Sequence, residues 1–152
     1  MSLKKKFINF EEPINFNTIS NICSLGNYES RVTNRWNSDY ILESIFQIKG
    51  IQNILGFKNL FIDLNNKFNE KKLKSDLDIF FSLVPGSRSN THRDNYNVYI
   101  IGVYGRTLYK IENKEFIVNE GDLLHIKPNQ LHTAIGLDPR IIVSFAVDEK
   151  PF

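Results

Sequence analysis

The sequence predicts a mainly β fold, a barrel or two-sheet jelly roll with a few N-terminal helices packed outside it. Three observations carry this. From about residue 77 onward, short apolar, β-prone runs follow one another, each closed by a turn. Within several of these runs, alternate residues divide into an apolar set and a polar or small set, as strands between two environments require. The first 76 residues instead mix helical and strand patterns, which suits elements that cover a barrel and extend one of its sheets.

The elements follow in order. Asn17 is placed to cap a short helix running to Leu25. Ser38 is placed to cap a second, 39–47, with Tyr40, Ile41, Ile45 and Phe46 apolar and Gly50 beyond its end. Residues 60–64 read as a short strand. Residues 69–75, with Glu70, Lys71, Lys72 and Lys74, read as a polar helix or turn. Strands are then expected over 79–84, 97–104, 106–111, 116–118, 123–127, 131–137 and 140–147. Pro85-Gly86, Glu112-Asn113-Lys114, Asn119 to Asp122, Pro128-Asn129 and Asp138-Pro139 supply the turns. This many antiparallel strands in so short a stretch implies a closed or two-sheet architecture.

A chain of 152 residues is expected to form one domain, with 1–76 as an N-terminal extension and 77–148 as the barrel core. There is no Pro/Gly/Ser linker, repeat or long low-complexity tract. The net charge of +2 is too mild to argue for a nucleic-acid or membrane partner. No apolar run has membrane-spanning length, and Lys4 to Lys6 precede no apolar signal segment; they read as a solvated tail. The single cysteine, Cys23, excludes an internal disulfide framework, fits a reducing, cytoplasmic setting and reads as a small buried hydrophobe.

The chemistry concentrates in three residues. His92 and Asp94 are two apart, so on a strand they share a face. His132 follows a Gly-Asp turn and a short apolar run, where a small barrel would bring it across. Two imidazoles and one carboxylate hold a divalent iron on one side and leave the other side open. If His132 faces inward, so do Ala134 and Gly136. On the last strand Arg140, Ile142, Ser144 and Ala146 share one face and Ile141, Val143, Phe145 and Val147 the other. The second set reads as packed core. The first suits the wall of a wet cavity and sets a guanidinium where it can grip a carboxylate. His125, seven residues before His132, reads as structural or cavity wall. Trp36, beside Arg35 and Tyr40, reads as a core anchor, with a lid over the barrel mouth as the alternative.

These residues carry a resemblance. Gly86, His92, Asp94 and Gly105 match in spacing the first motif of the cupin and double-stranded β-helix proteins; Gly121, Pro128 and His132 match the second. More narrowly, the chain resembles the iron- and 2-oxoglutarate-dependent oxygenases. The stretch from His92 to Arg106 is similar to JmjC-like and ribosomal-protein hydroxylases, and the ending after His132 to the aspartyl/asparaginyl and proline hydroxylases. Val98 stands where the common cupin motif has a Glu ligand, which leaves a three-ligand site. The branch's Lys or Arg for the far carboxylate of the oxoacid would align with Thr107. The resemblance thus implies Fe(II) on His92, Asp94 and His132. It assigns the oxoacid clamp to Arg140, with Arg106 a poorer candidate and Thr107 and Ser144 as assisting hydroxyls.

The activity this implies is hydroxylation of a small molecule, amino acid or peptide, with 2-oxoglutarate as cosubstrate. Such barrels often pair through an extended sheet, which allows a homodimer. Two other classes are open. One is a metal cupin without an oxoacid, either a direct dioxygenase or a Mn- or Zn-dependent isomerase. The other is a non-enzymatic cupin that binds a metabolite. Scattered Lys and Arg fit a nucleic-acid module less well, and no serine-nucleophile motif is present.

Overall fold

The computed structural model describes residues 3–10, 12–33, 38–54 and 56–148, and side chains at 38–40 are left out of the description. Trp36 and Arg35 lie outside the described residues. In chain order the elements are β1 (Leu3–Lys4), α1 (Phe16–Leu25), β2 (Glu29–Val32), β3 (Phe46–Lys49), α2 (Lys58–Phe68), β4 (Ser75–Ser82), β5 (Asn97–Tyr104), β6 (Thr107–Ile111), β7 (Lys114–Val118), β8 (Leu123–Ile126), β9 (His132–Gly136) and β10 (Arg140–Val147), with 3₁₀ turns at Ser38–Glu43 and Ile51–Asn53.

Strand β10 is the spine. It pairs antiparallel with β4 on one side and β5 on the other, inside a seven-stranded sheet of order β1-β8-β5-β10-β4-β3-β2. A three-stranded sheet, β7-β6-β9, faces it. The result is a double-stranded β-helix, mainly β as expected. The alternation along β10 decides which side is which. Ile141, Val143, Phe145 and Val147 are buried in a cluster with Ile19 and Ile22 of α1 and Leu64 of α2, between the large sheet and the helices. Ile142 belongs to a second cluster with Val98, Ile100, Tyr109, Ile126 and Ala134, between the two sheets. Each fully buried aliphatic or aromatic side chain contributes roughly 1.5–3 kcal/mol. The two layers of core therefore lock β10 from both faces while leaving Arg140 and Ser144 turned inward.

The N-terminal half does cover and extend the large sheet, but several local expectations change. The N-cap of α1 is Asn15, two residues before the expected Asn17. The Asn15 side chain accepts from the Asn17 and Thr18 amides, and the Thr18 hydroxyl accepts the Asn15 amide, a reciprocal capping box. The expected strand at 60–64 is helical, because Phe57, Leu60, Phe61, Leu64 and Phe68 recur at helical spacing and turn one stripe into the core. The expected helix at 39–47 is a 3₁₀ turn followed by β3. Phe46 pairs opposite Phe81 and Ile48 opposite Ile79, so sheet partners override the local pattern. Residues 69–75 form a turn, and β4 starts at Ser75, earlier than the expected 79.

Cys23 is exposed, not buried, because it lies off the apolar stripe of α1. Lys4 to Lys6 are not a free tail. Leu3–Lys4 pair with β8, and Asp122 accepts the Lys6 amide and the Lys5 ammonium at 2.9 and 3.0 Å. Gly102 is where β5 meets the turn before β8: a Cβ there would sit 2.2 Å from the Asn119 carbonyl oxygen, so only glycine fits. Among the described residues no helix is long and apolar enough to cross a membrane.

Candidate metal centre and its cavity

The loop between β4 and β5 does not wander; it runs antiparallel beside β9. Gly86 N–H donates to Gly136 O and Gly136 N–H to Ser87 O, both at 2.8 Å, and Ser89 N–H donates to Ala134 O at 2.9 Å. The track ends where His92 and His132 bridge, and Asn129 N–H then donates to Asp94 O at 2.7 Å. His92 and Asp94 therefore sit on a loop held by isolated bridges, not on a strand proper, yet the bridges deliver them to the first residue of β9.

One nitrogen or oxygen from each of His92, Asp94 and His132 lies within 4.8 Å of the others. Asp94 Oδ2 is 3.4 Å from His132 Nε2 and 3.7 Å from His92 Nε2. Donors so spaced can close on one ion with bonds of about 2.0–2.2 Å. The tautomers are fixed by the backbone. His92 Nδ1 lies 2.7 Å from Asn90 O and His132 Nδ1 2.9 Å from Gln130 O. A carbonyl only accepts, so each Nδ1 carries a proton; the neutral imidazole then offers the Nε2 lone pair to a metal, and a proton on Nε2 makes the imidazolium that Asp94 pairs with. Burial pushes the Asp94 carboxyl up, but the hydrogen bond with His132, the two imidazole charges and the Tyr96 hydroxyl outweigh it, and the net shift is down. For His132, burial pulls the pKa down and Asp94 and the Gln130 carbonyl more than reverse it. His132 is buried, Asp94 half-buried and His92 side-chain exposure is 44%, so the group runs from the interior to an open mouth.

The three donors border a cavity of about 390 Å³ between the sheets. Arg140, Ile142, Ser144 and Ala146 line it, as their shared face implied. Arg140 is 1% exposed, donates from Nε to Ser82 Oγ at 3.0 Å and hydrogen-bonds Tyr109. No carboxylate among the described residues lies within ion-pair distance of it. Burial lowers its pKa and pushes the Tyr109 phenol up to about 12. Thr107 lies opposite Gly136 in the β6–β9 register, and a Cβ on Gly136 would sit 3.2 Å from Arg140 Cγ. The Thr107 hydroxyl is fully buried, has no hydrogen-bond partner among the described residues and is not part of the cavity lining.

The other expected residues fall elsewhere. Ser144 is in the cavity wall, but it is four residues along β10 from Arg140, about 13 Å at the rise of a strand. Ser82 is the hydroxyl that meets the guanidinium, and Tyr109 the phenol; neither was singled out, because only the strand register brings them there. Arg106 is turned outward in a two-pronged ion pair with Asp138, at 2.8 and 3.1 Å. His125 bonds Asn97 Oδ1 at 2.8 Å and stacks on Tyr99; of the two roles expected, structural or cavity wall, it is not in the cavity lining. Sequence reading also missed Arg31, Gln47 and Asp78, which line the mouth from β2, β3 and β4. Their i, i+2 alternation with apolar neighbours on β3 and β4 was the available signal.

Two facing antiparallel sheets with this loop-to-strand triad define the cupin-type double-stranded β-helix, and the chain has that fold. No family model matches the sequence, and no curated protein matches it. Solved structures do. The chain is similar to YcfD, a ribosomal oxygenase from Escherichia coli, in complex with cobalt and succinic acid. The TM-score is 0.76 at 22% identity, over 98% of this chain and 48% of that one. The complex of YcfD with cobalt and 2-oxoglutarate gives the same values. Another crystal structure of YcfD gives a TM-score of 0.79 at 20% identity over the same shares. The chain thus spans about half the length of these structures, and the likeness establishes the fold.

Proposed function

We propose that the protein is an Fe(II)- and 2-oxoglutarate-dependent oxygenase that hydroxylates a substrate held at the cavity mouth. One observation carries this: a buried guanidinium with no carboxylate partner among the described residues faces the same cavity as three convergent metal donors. A buried charge left unpaired is costly, so its partner is expected from a ligand. A dicarboxylate is the ligand that reaches both a metal and an arginine. The neighbour YcfD, solved with cobalt and 2-oxoglutarate, supports the same reading.

His92, Asp94 and His132 would hold the iron. Bound there, iron supplies oxygen activation coupled to oxidative decarboxylation of the oxoacid. The chain does the rest. Arg140 binds the far carboxylate with its planar fork, held in place by Ser82 and Tyr109. Val98, Ile100, Ile126 and Ile142 wall the cavity with hydrocarbon and exclude water. The Asn90 and Gln130 carbonyls keep both imidazoles in the ligating tautomer.

The test is anaerobic titration of the protein with Fe(II) and then 2-oxoglutarate. A saturable visible charge-transfer band, absent in His132→Ala, is the expected result. Iron uptake without a band would replace this reading with a metal cupin that needs no oxoacid. No uptake at all would leave a metal-free ligand-binding cupin.

A further inference from the structure

The cavity carries a second built polar feature, at its mouth. Arg31 lies opposite Gln47 in the β2–β3 register, Asp78 lies diagonal to Gln47 on β4, and all three line the cavity. Arg31 Nε donates to Gln47 Oε1, and Gln47 Nε2 donates to Asp78 Oδ2 at 2.7 Å. Asp78 Oδ1 accepts the Gly50 amide at 2.8 Å. Gln47 is buried and Asp78 partly buried, so this end of the strip is part of the wall, while Arg31 sits exposed at its rim. Both donors to Asp78 are neutral, and no cation among the described residues pairs with it. The terminal nitrogens of Arg31 are likewise without a hydrogen-bond or ion-pair partner among the described residues.

Tyr96 ties this strip to the metal group. Its ring lines the same cavity as Arg31, Gln47 and Asp78 on one side and His92, Asp94 and His132 on the other. A carboxylate facing a cavity without a cation is mismatched to the apolar wall, and burial together with the adjacent Asp76 raises its pKa. An entering ammonium would relieve that mismatch through charge-assisted hydrogen bonds, while the terminal nitrogens of Arg31 would take a carboxylate.

We propose that Arg31, Gln47 and Asp78 form the substrate-recognition wall of this site, and that it takes a small zwitterion with its ammonium on Asp78 and its carboxylate on Arg31. The spacing narrows the class. Two hydrogen bonds and one amide separate the two charged groups, more than the single carbon between the charges of an α-amino acid. An aliphatic chain of several carbons between ammonium and carboxylate spans it. The assignment deepens the oxygenase reading and rests on it for the chemistry done on the bound molecule, though binding can be measured without that chemistry.

Calorimetric titration with three matched probes tests it: 6-aminohexanoate, hexylamine and hexanoate, each with and without Fe(II) and 2-oxoglutarate under anaerobic conditions. The zwitterion should bind roughly tenfold or more tightly than either singly charged probe. Asp78→Asn and Arg31→Gln should each lose about that factor, and Asp78→Glu should restore part of it. Should Asp78→Asn fail to fold, the exposed Arg31→Gln decides. Hexylamine binding as well as the zwitterion, no loss in Arg31→Gln, or no binding of 6-aminohexanoate would each overturn the assignment. The charge-transfer band of the wild-type protein reports the oxygenase reading separately. Zwitterion binding without a band would keep the wall and remove the oxygenase; a band without zwitterion binding would do the reverse.

Discussion

His92 and His132, forty residues apart in the chain, exchange both backbone hydrogen bonds, His92 N–H to His132 O at 3.0 Å and His132 N–H to His92 O at 2.9 Å. The two imidazoles are thus brought together by their own main chains, with ring centroids 4.3 Å apart. Neither side chain is needed to form the bridge. Sheet-like pairing of the main chain thus preorganises the two imidazoles.

It follows that His132→Ala and Asp94→Ala should weaken divalent-metal binding by at least about a hundredfold while the protein stays folded. Cobalt(II) titration followed by its visible spectrum measures the first, and thermal unfolding of the metal-free proteins the second. Loss of folding in both variants would show that the side chains, not the bridge, hold the loop to β9.

Arg140 should separate function from stability. A buried cation without an anion is a cost in the ligand-free protein, and an apolar residue of similar length removes it. Arg140→Met should leave metal-free stability unchanged or raise it by about 1–4 kcal/mol, despite the loss of the bond to Ser82. The same variant should bind 2-oxoglutarate at least tenfold more weakly, for loss of a charged hydrogen-bonding group. Denaturant unfolding and titration of the charge-transfer band measure the two effects; a large destabilisation would mean that Arg140 has a structural partner.

Asp122 gives the acid dependence. Burial raises its pKa, but the Lys6 and Asn119 amides and the Lys5 ammonium bring it below its ordinary 3.8. A carboxyl with a depressed folded-state pKa adds stability that is present above the unfolded value and lost as pH falls through the folded one. Asp122→Asn should therefore cost about 1–3 kcal/mol at pH 7, and the gap from wild type should begin to narrow below about pH 4 and go on narrowing as the pH falls further. Urea unfolding of both proteins at pH 7 and at steps below about pH 4 checks this; a gap that does not narrow as the pH falls would assign the effect to packing.

What was legible in the sequence was whatever depends on alternation and punctuation. The two faces of β10 follow from period two alone, and the structure places Phe145 in the helix-side core and Arg140 in the cavity as that period requires. The triad was legible because two of its members are two residues apart and the third follows a Gly-Asp turn. The partners of Arg140 were not, since Ser82 and Tyr109 reach it only through the β4–β10 register and the facing sheet. The strip Arg31–Gln47–Asp78 was hidden for the same reason: its members come from three strands, one of which was read as helix. α2 was missed by treating 60–64 alone, when Phe57 and Phe68 complete its helical stripe.

Ser144 and Phe145 are neighbours on β10 with opposite duties, and a pair of substitutions should show it. Phe145 is fully buried against α2, its ring edge-on to Phe61 at 6.0 Å. Phe145→Ala leaves a void between sheet and helix and should cost about 3–5 kcal/mol, whether or not metal is bound. Ser144 faces the cavity, where added volume meets open space instead of packed side chains. Ser144→Phe should therefore fold with stability near that of the wild type, still take up cobalt(II), and lose most of its 2-oxoglutarate or substrate binding because the ring fills the cavity. Unfolding curves and ligand titrations of the two variants side by side decide the matter. A strongly destabilised Ser144→Phe would mean that the inner face of β10 is packed core and that the cavity does not reach it.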